Sequence, residues 1–323
     1  MLRPIRAALL LVAILAATPV QPLAQDYPNR PIRVIVPHGP GGLSDLFMRQ
    51  VGDELSRRLG KPIVVENKVG ANGSIAARQC AGADPDGYTI CILSADMLAY
   101  NHLVMPGNKY DAGAQLAPIT NLFALTQVLA ASAALDAKTL AQLAAAAKAK
   151  PGTLSYSCPA LAMALFVEHF KKDTGSDIVR VPFKSGADAV TSMLNGSTPV
   201  SVLGLGNIVP HLRAGTIHGI AVDTPERSPL FPDIPTVREI GYRGDITLAY
   251  FGLLAPLGTP QAVIDRLHKE VVDIAGAADF RKRSMIDRGF APVLDTPQQF
   301  AETLRADRVA AERVVDAAGV RAP

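Results

Sequence analysis

The run Pro37-His38-Gly39-Pro40-Gly41-Gly42-Leu43-Ser44-Asp45 has the residue types and spacing to hold an anion. Gly41 and Gly42 let backbone N–H groups approach a ligand closely. Ser44 or Asp45 can cap the helix that follows. The unpaired N–H groups at such a helix start favour a carboxylate or a similar group. The bland alternative is a plain strand-to-helix connection. No Gly-Lys-Ser or Gly-Lys-Thr follows, so the turn is not a nucleotide phosphate loop, and it does not read GxGxxG either.

Pro182-Phe183-Lys184-Ser185-Gly186 repeats the logic further along. A strand ends at Val181 and a small-residue turn starts a helix. Lys184 offers a cation and Ser185 a hydroxyl, although a single Lys beside a helix cap is more often only solvated. Two such junctions in separate α/β units could face each other across a cleft, as a clamshell receptor requires.

Ser157 and Cys158 invite an enzyme reading. Cys158 stands at a strand end before a helix, where the helix dipole lowers a thiol pKa. His38, His169 and His211 are candidate bases. No Gly-x-Ser-x-Gly elbow occurs, and Cys158-Pro159 matches no protease signature, so a nucleophilic enzyme is the weaker reading. His169 is expected on a helix flank and His211 beside Pro210. The cysteines are Cys80, Cys91 and Cys158, an odd number that leaves at least one unpaired. Cys80 falls late in a predicted helix and Cys91 in the next strand, so the two can meet in a disulfide or stay as buried thiols. Their spacing fits no zinc or iron–sulfur pattern, and no metal or cofactor is expected.

The elements that must position these residues alternate short apolar strands with helices, which points to an α/β fold. Strands are expected over 32–36, 62–66, 88–93, 154–157, 177–181, 199–205, 217–222 and 248–255. Helices are expected over 44–59, 74–82, 139–148, 160–172, 187–194, 210–214, 260–275 and 297–317. The first long helix carries Leu46, Phe47, Val51, Leu55 and Leu59 at helical spacing and stops at Gly60. The stripe Ile264, Leu267, Val271, Val272 and Ile274 reads as core packing. The run 224–242 is rich in Pro, Gly and charge and reads as a long ordered loop with one short helix. Arg281-Lys282-Arg283 reads as a solvated face.

Residues 1–24 have the form of a signal peptide. Arg3 and Arg6 precede an unbroken apolar run over 7–17, too short to span a bilayer, and a Pro-broken segment follows. No Cys lies near the expected cleavage after Ala24, so a lipoprotein anchor is not expected. The whole chain of 323 residues carries a formal charge of +3. Removing a leader with two Arg and no acidic residue leaves a near-neutral product. Without long basic runs nothing supports nucleic-acid binding. About 300 mature residues suffice for two ordinary domains.

Across nearly the whole mature chain, a set of blocks resembles one family. They read YPNRPIRVIVPHGPGG, KPIVVENKVGANGSIAA, ADPDGYTI, KAKPGTLSY, DIVRVPFKSG, PHLRAGTIHGIAV, RSPLFPDIPTVREIGY, FGLLAPLGTP and GFAPVLDTPQQFA. The chain resembles the Bug-type solute-binding proteins, receptors of tripartite tricarboxylate transporters. The resemblance implies a type II periplasmic-binding-protein clamshell, with two α/β domains joined by two crossover strands. Residues 25–125 and 248–323 would form the first domain and 126–247 the second. It also implies a soluble periplasmic monomer that captures a small organic acid and meets membrane transporter subunits transiently. A ligand-presenting sensor subunit is the alternative.

By the same resemblance, Gly41, Gly42, Ser44 and Asp45 match the first-domain binding loop, and His38 takes a position that is often aromatic. Ser94 and Asp96 match the loop after the third strand. Ser157 and Cys158, the Lys184-Ser185-Gly186 turn, and Leu203 to Asn207 match the second-domain loops. Two features depart from the family pattern. The loop after Tyr156 looks short and lacks glycine, and Leu203 replaces a frequent polar residue. Both suggest a more apolar second wall, and hence an aromatic or branched monocarboxylate, or loss of family-type binding.

Overall fold

The structure is a computed structural model that describes residues 27–105, 110–158, 161–181, 183, 186–243, 248–318 and 321. The expected leader and the Lys184 and Ser185 sites lie outside the described residues.

The first sheet has six strands in the order β11-β4-β10-β3-β1-β2. These are β1 (Ile32–Val36), β2 (Ile63–Asn67), β3 (Thr89–Ser94), β4 (Leu116–Leu125), β10 (Ala249–Pro256) and β11 (Phe290–Pro292). β1 runs parallel to both β2 and β3, while β10 is antiparallel to β3 and β4. The second sheet has the order β7-β6-β8-β5-β9. Its strands are β5 (Gln127–Ser132), β6 (Leu154–Ser157), β7 (Ile178–Arg180), β8 (Val200–Gly204) and β9 (Ile217–Val222). β6 lies parallel to β7 and β8, and β5 is antiparallel to β8 and β9. The chain therefore passes from the first sheet to the second at Thr126 and returns between Val222 and Ala249.

Among the described residues, the helices of eight or more residues that cover the two sheets are α1 (Leu43–Leu59), α2 (Ser74–Ala81), α3 (Leu140–Ala149), α4 (Leu161–Thr174), α5 (Gly186–Leu194), α6 (Leu205–Ala214), α7 (Gln261–Gly276) and α8 (Pro297–Ala318). In α1 the residues Phe47, Met48, Val51 and Leu55 recur on one face and are buried against the sheet. Each such side chain contributes about 1.5–3 kcal/mol when fully buried. Gly60 ends the helix with φ 66°, and its N–H donates to the Ser56 carbonyl at 3.0 Å. A charge at Val51 would break this face, because it would enter the first core unpaired. The second lobe has its own core around Leu129, Tyr156, Phe166 and Val202.

Several expectations are corrected. β4 and β5, the strands on either side of the crossing, were not read from the residues themselves. α6 begins at Leu205, not at Pro210, and Pro210 sits inside it. The carbonyl that would meet the proline ring belongs to Gly206, four residues back. The run 224–242 holds turns and no helix among its described residues, with Thr236 bridged to Val222. Val272 is half-buried, while Val263 and Ala275 complete the α7 stripe. Cys80 and Cys91 form a disulfide with Cα atoms 6.1 Å apart, tying α2 to β3 in a fully buried site. Cys158 lies outside it, buried in the second core.

Candidate functional site

Val36 ends β1, and the turn 37–42 then delivers the chain to α1. The turn is fastened from below by Asp45, which is 1% exposed. Its Oδ2 accepts from the Gly41 N–H at 2.9 Å and from Arg49 Nε at 3.1 Å. Its Oδ1 accepts from Asn67 Nδ2 at 2.8 Å and pairs with Arg49 Nη2 at 2.9 Å. Burial alone would raise this carboxyl, but the hydrogen bonds from Arg49, Asn67 and Gly41 hold it below the usual carboxylate range. Asn67 Nδ2 also donates to the His38 carbonyl at 2.7 Å.

The expected role of the two glycines changes as a result. The Gly41 N–H is spent on Asp45, and the Gly42 N–H donates to the Gly39 carbonyl at 3.1 Å. Neither amide is presented outward. What the turn presents is the first turn of α1, whose leading N–H groups have no intrahelical acceptor. Gly41, at φ 83°, supplies the left-handed step that makes this possible. Asp45 likewise braces the turn from within.

His38 stands at the rim of this turn. Its Nδ1 lies 2.8 Å from Ser44 Oγ, and its ring meets Phe251 edge-to-face at 5.6 Å. Burial lowers its pKa, which favours the neutral ring. Phe251 in turn pairs in register with Ser94, so His38 and Ser94 lie at the same end of the first sheet. Asp96 opens the wide π-helical turn Asp96–Tyr100 just beyond. A neighbouring loop is also rigid. Asn72 Nδ2 donates to Asn101 Oδ1, and Asn101 Nδ2 donates to the Asn72 carbonyl, both at 2.8 Å.

The second lobe brings Gly186, Gly204 and Asn207 together. A Cβ built on Gly186 would lie 3.0 Å from the Asn207 side chain. One built on Gly204 would lie 3.4 Å from Asn207 Nδ2 and 3.8 Å from Leu43 Cδ1 of the first lobe. Gly186 heads α5, Gly204 precedes α6 and Leu43 heads α1. Three helix starts from two lobes thus converge on one place. The lobes meet again where a Cβ on Gly206 would run into the Arg288 carbonyl.

Other predicted residues sit elsewhere. Ser157 Oγ pairs with Ser201 Oγ in the buried interior, and the Cys158 carbonyl accepts from Arg180 Nη2 at 2.8 Å. Leu203 is 1% exposed, in the core beside Val128, Val190 and Ile208. It faces its own helices and does not form an apolar wall. His169 pairs with Asp173 on an exposed helix flank, and His211 lies 3.3 Å from Thr216 Oγ1. Sequence reasoning missed Asn67, Gln127 and Asp223. A polar residue closing the apolar strand β2 was the only hint for Asn67.

A cavity of about 420 Å³ lies between Arg30, Arg33, Asp84 and Thr89, at the amino ends of β1 and β3. That is the opposite end of the sheet from His38 and Ser94. Among the described residues, no group of acidic, His or Cys side chains is placed to hold a metal, and no helix is long and apolar enough to cross a membrane.

Comparison with known proteins identifies the family. Residues 47–320 match the model of the tripartite tricarboxylate transporter family receptor. A UPF0065 protein of Bordetella bronchiseptica is 32% identical over 98% of this chain and 94% of its own length. Protein BugT of Bordetella pertussis is 31% identical over 88% of this chain and 87% of its own. Among solved structures, an R. palustris protein with adipate is 30% identical with a TM-score of 0.84, covering 92% of this chain and 100% of that one. MatC of Rhodopseudomonas palustris with bound malate is 27% identical with a TM-score of 0.80, over 90% of this chain and 100% of that one. Two open α/β sheets joined by two crossings make this a type II periplasmic-binding-protein clamshell. The chain belongs to the tripartite tricarboxylate transporter receptor family, the Bug-type solute-binding proteins.

Proposed function

We propose that the protein captures a small carboxylate, with a dicarboxylate as the favoured class, between its two lobes and hands it to membrane transporter subunits from the periplasm. The observation that carries this reading is the convergence of the α1, α5 and α6 starts around Leu43, Gly204 and Asn207. Each start presents N–H groups without intrahelical acceptors, and their dipoles favour negative charge. A carboxylate touching both lobes would stabilise the closed arrangement by its differential contacts. His38, Ser44 and Ser94 would line the first wall, with Gly186 and Asn207 on the second. The two lobes, 25–125 with 248–323 and 126–247, would hinge at Thr126 and at the return before Ala249. The protein would work as a monomer and without catalysis.

The adipate and malate held by the two structural neighbours support the dicarboxylate class. With Leu203 in the core, the argument for an aromatic or branched acid loses one of its two supports. Thermal unfolding with added adipate, malate, succinate and benzoate tests the reading. At a hundredfold excess over Kd a ligand stabilises the folded form by about 2.7 kcal/mol. A rise in Tm with at least one dicarboxylate supports the proposal. No shift with any carboxylate at millimolar concentration refutes it.

A further inference from the structure

Gln127 is the first residue of β5 after the crossing, and Asp223 directly follows β9. Gln127 is 5% exposed and Asp223 2%. Gln127 N–H donates to Asp223 Oδ1 at 2.8 Å, and Asp223 N–H donates to the Gln127 carbonyl at 3.1 Å. The remaining acceptors, Gln127 Oε1 and Asp223 Oδ2, are buried without a hydrogen-bond partner. No described cation pairs with Asp223. A buried acceptor left unmet is costly, because it has given up water without a replacement. Two of them on adjacent strand ends call for a donor.

The sheet register places both at the candidate site. Gln127 pairs with Gly204 across β5 and β8, and Val128 pairs with Val222, which puts Asp223 beside Gln127 on the other flank. Residues opposite one another in a sheet share a face. The Gln127 side chain therefore stands next to the position a Cβ on Gly204 would take. That position lies 3.8 Å from Leu43 of the first lobe and 3.4 Å from Asn207. The helix starts there supply donors suited to a carboxylate, whereas Gln127 Oε1 and Asp223 Oδ2 supply acceptors. Together they fit a ligand that carries an anion and a donor on neighbouring atoms.

We propose that Gln127 and Asp223 form a donor-reading subsite that makes the protein prefer acids with a hydroxyl or ammonium group over plain carboxylates of equal length. This deepens the carboxylate-capture reading and rests on it. A site built to hydrogen-bond a polar group rejects the analogue that lacks it, because its own buried groups then go unmet.

Isothermal titration calorimetry at pH 7 with pairs differing by one hydroxyl tests the proposal. The pairs are succinate and malate, glutarate and 2-hydroxyglutarate, and adipate and 2-hydroxyadipate, each hydroxy acid as both enantiomers. In every pair that binds, one enantiomer of the hydroxy acid is expected to bind about tenfold or more tightly than the plain acid. Gln127→Met and Asp223→Asn should bring that ratio to within about threefold. Equal affinities in the unaltered protein would overturn the proposal. They would mean that a buried water, or a proton shared between Asp223 and Gln127, already satisfies the pair. A ratio preserved in folded variants would overturn it too. If a variant fails to fold by circular dichroism, the ratio in the unaltered protein decides. Binding of none of the acids would instead refute the carboxylate reading itself.

Discussion

Asp45 and Asp223 are carboxylates of almost equal burial, 1% and 2% exposed, one in each lobe, and their surroundings differ. Asp45 receives donors on both oxygens from Gly41, Arg49 and Asn67, and these keep it ionised. Asp223 receives one backbone amide on one oxygen, and burial pushes its carboxyl up to about 7. A buried charge that is fully paired fixes a shape, while one that is half-paired remains available. The first lobe uses its aspartate to hold a turn rigid. The second lobe keeps polar capacity in reserve at the crossing between the lobes.

The contrast can be broken most forcefully at Asp45. Asp45→Ala strands the Gly41 amide and the Asn67 and Arg49 donors, and should cost about 4 kcal/mol in urea unfolding. A loss under about 1 kcal/mol would mean the turn does not depend on it. Asp223→Asn should act in the opposite direction. A raised acid pKa means the folded form holds its proton more tightly than the unfolded chain. The unaltered protein therefore loses stability as pH rises from about 4 to about 7, and the penalty stays constant above that. The variant removes the charge and should be more stable by up to about 4 kcal/mol at pH 8, with little difference at pH 4. Parallel stability–pH curves for the two proteins would contradict a strained Asp223.

Smaller effects test how the lobes meet. A Cβ on Gly206 would collide with the Arg288 backbone carbonyl. Gly206→Ala should therefore favour the open form and weaken ligand binding about tenfold, at little cost to either core. Calorimetry and a larger radius of gyration in solution scattering would show it. The smallest change is expected for His38→Phe. It keeps a ring against Phe251 but leaves the buried Ser44 hydroxyl without its Nδ1 partner, a loss of about 1 kcal/mol.

Much of the fold is legible in the sequence because apolar runs such as 32–36 and 88–93 are buried on both sheet faces and stand out without context. β4 and β5 are not legible in the same way. Their stretch, 116–132, interleaves Pro118, Asn121 and Gln127 with apolar residues, because it leaves one sheet and enters another. Pro210 misplaced the start of α6, since proline marks a first turn more often than an interior. At the site, the Pro37–Asp45 motif was visible, but the direction of its amides was not. That direction depends on Asn67, 22 residues beyond Asp45 and brought to it by β2. Gln127 and Asp223 belong to no local pattern. They become neighbours only through the pairing of β5 with β9.

The most direct test is a crystal structure of the full chain grown with malate or adipate, whichever raises Tm more. The account predicts electron density for the acid beside Leu43 and Asn207, with a carboxylate oxygen within hydrogen-bonding distance of first-turn amides from both α1 and the α5 or α6 start. An acid seated in the Arg30–Arg33 cavity, or touching only one lobe, would contradict it.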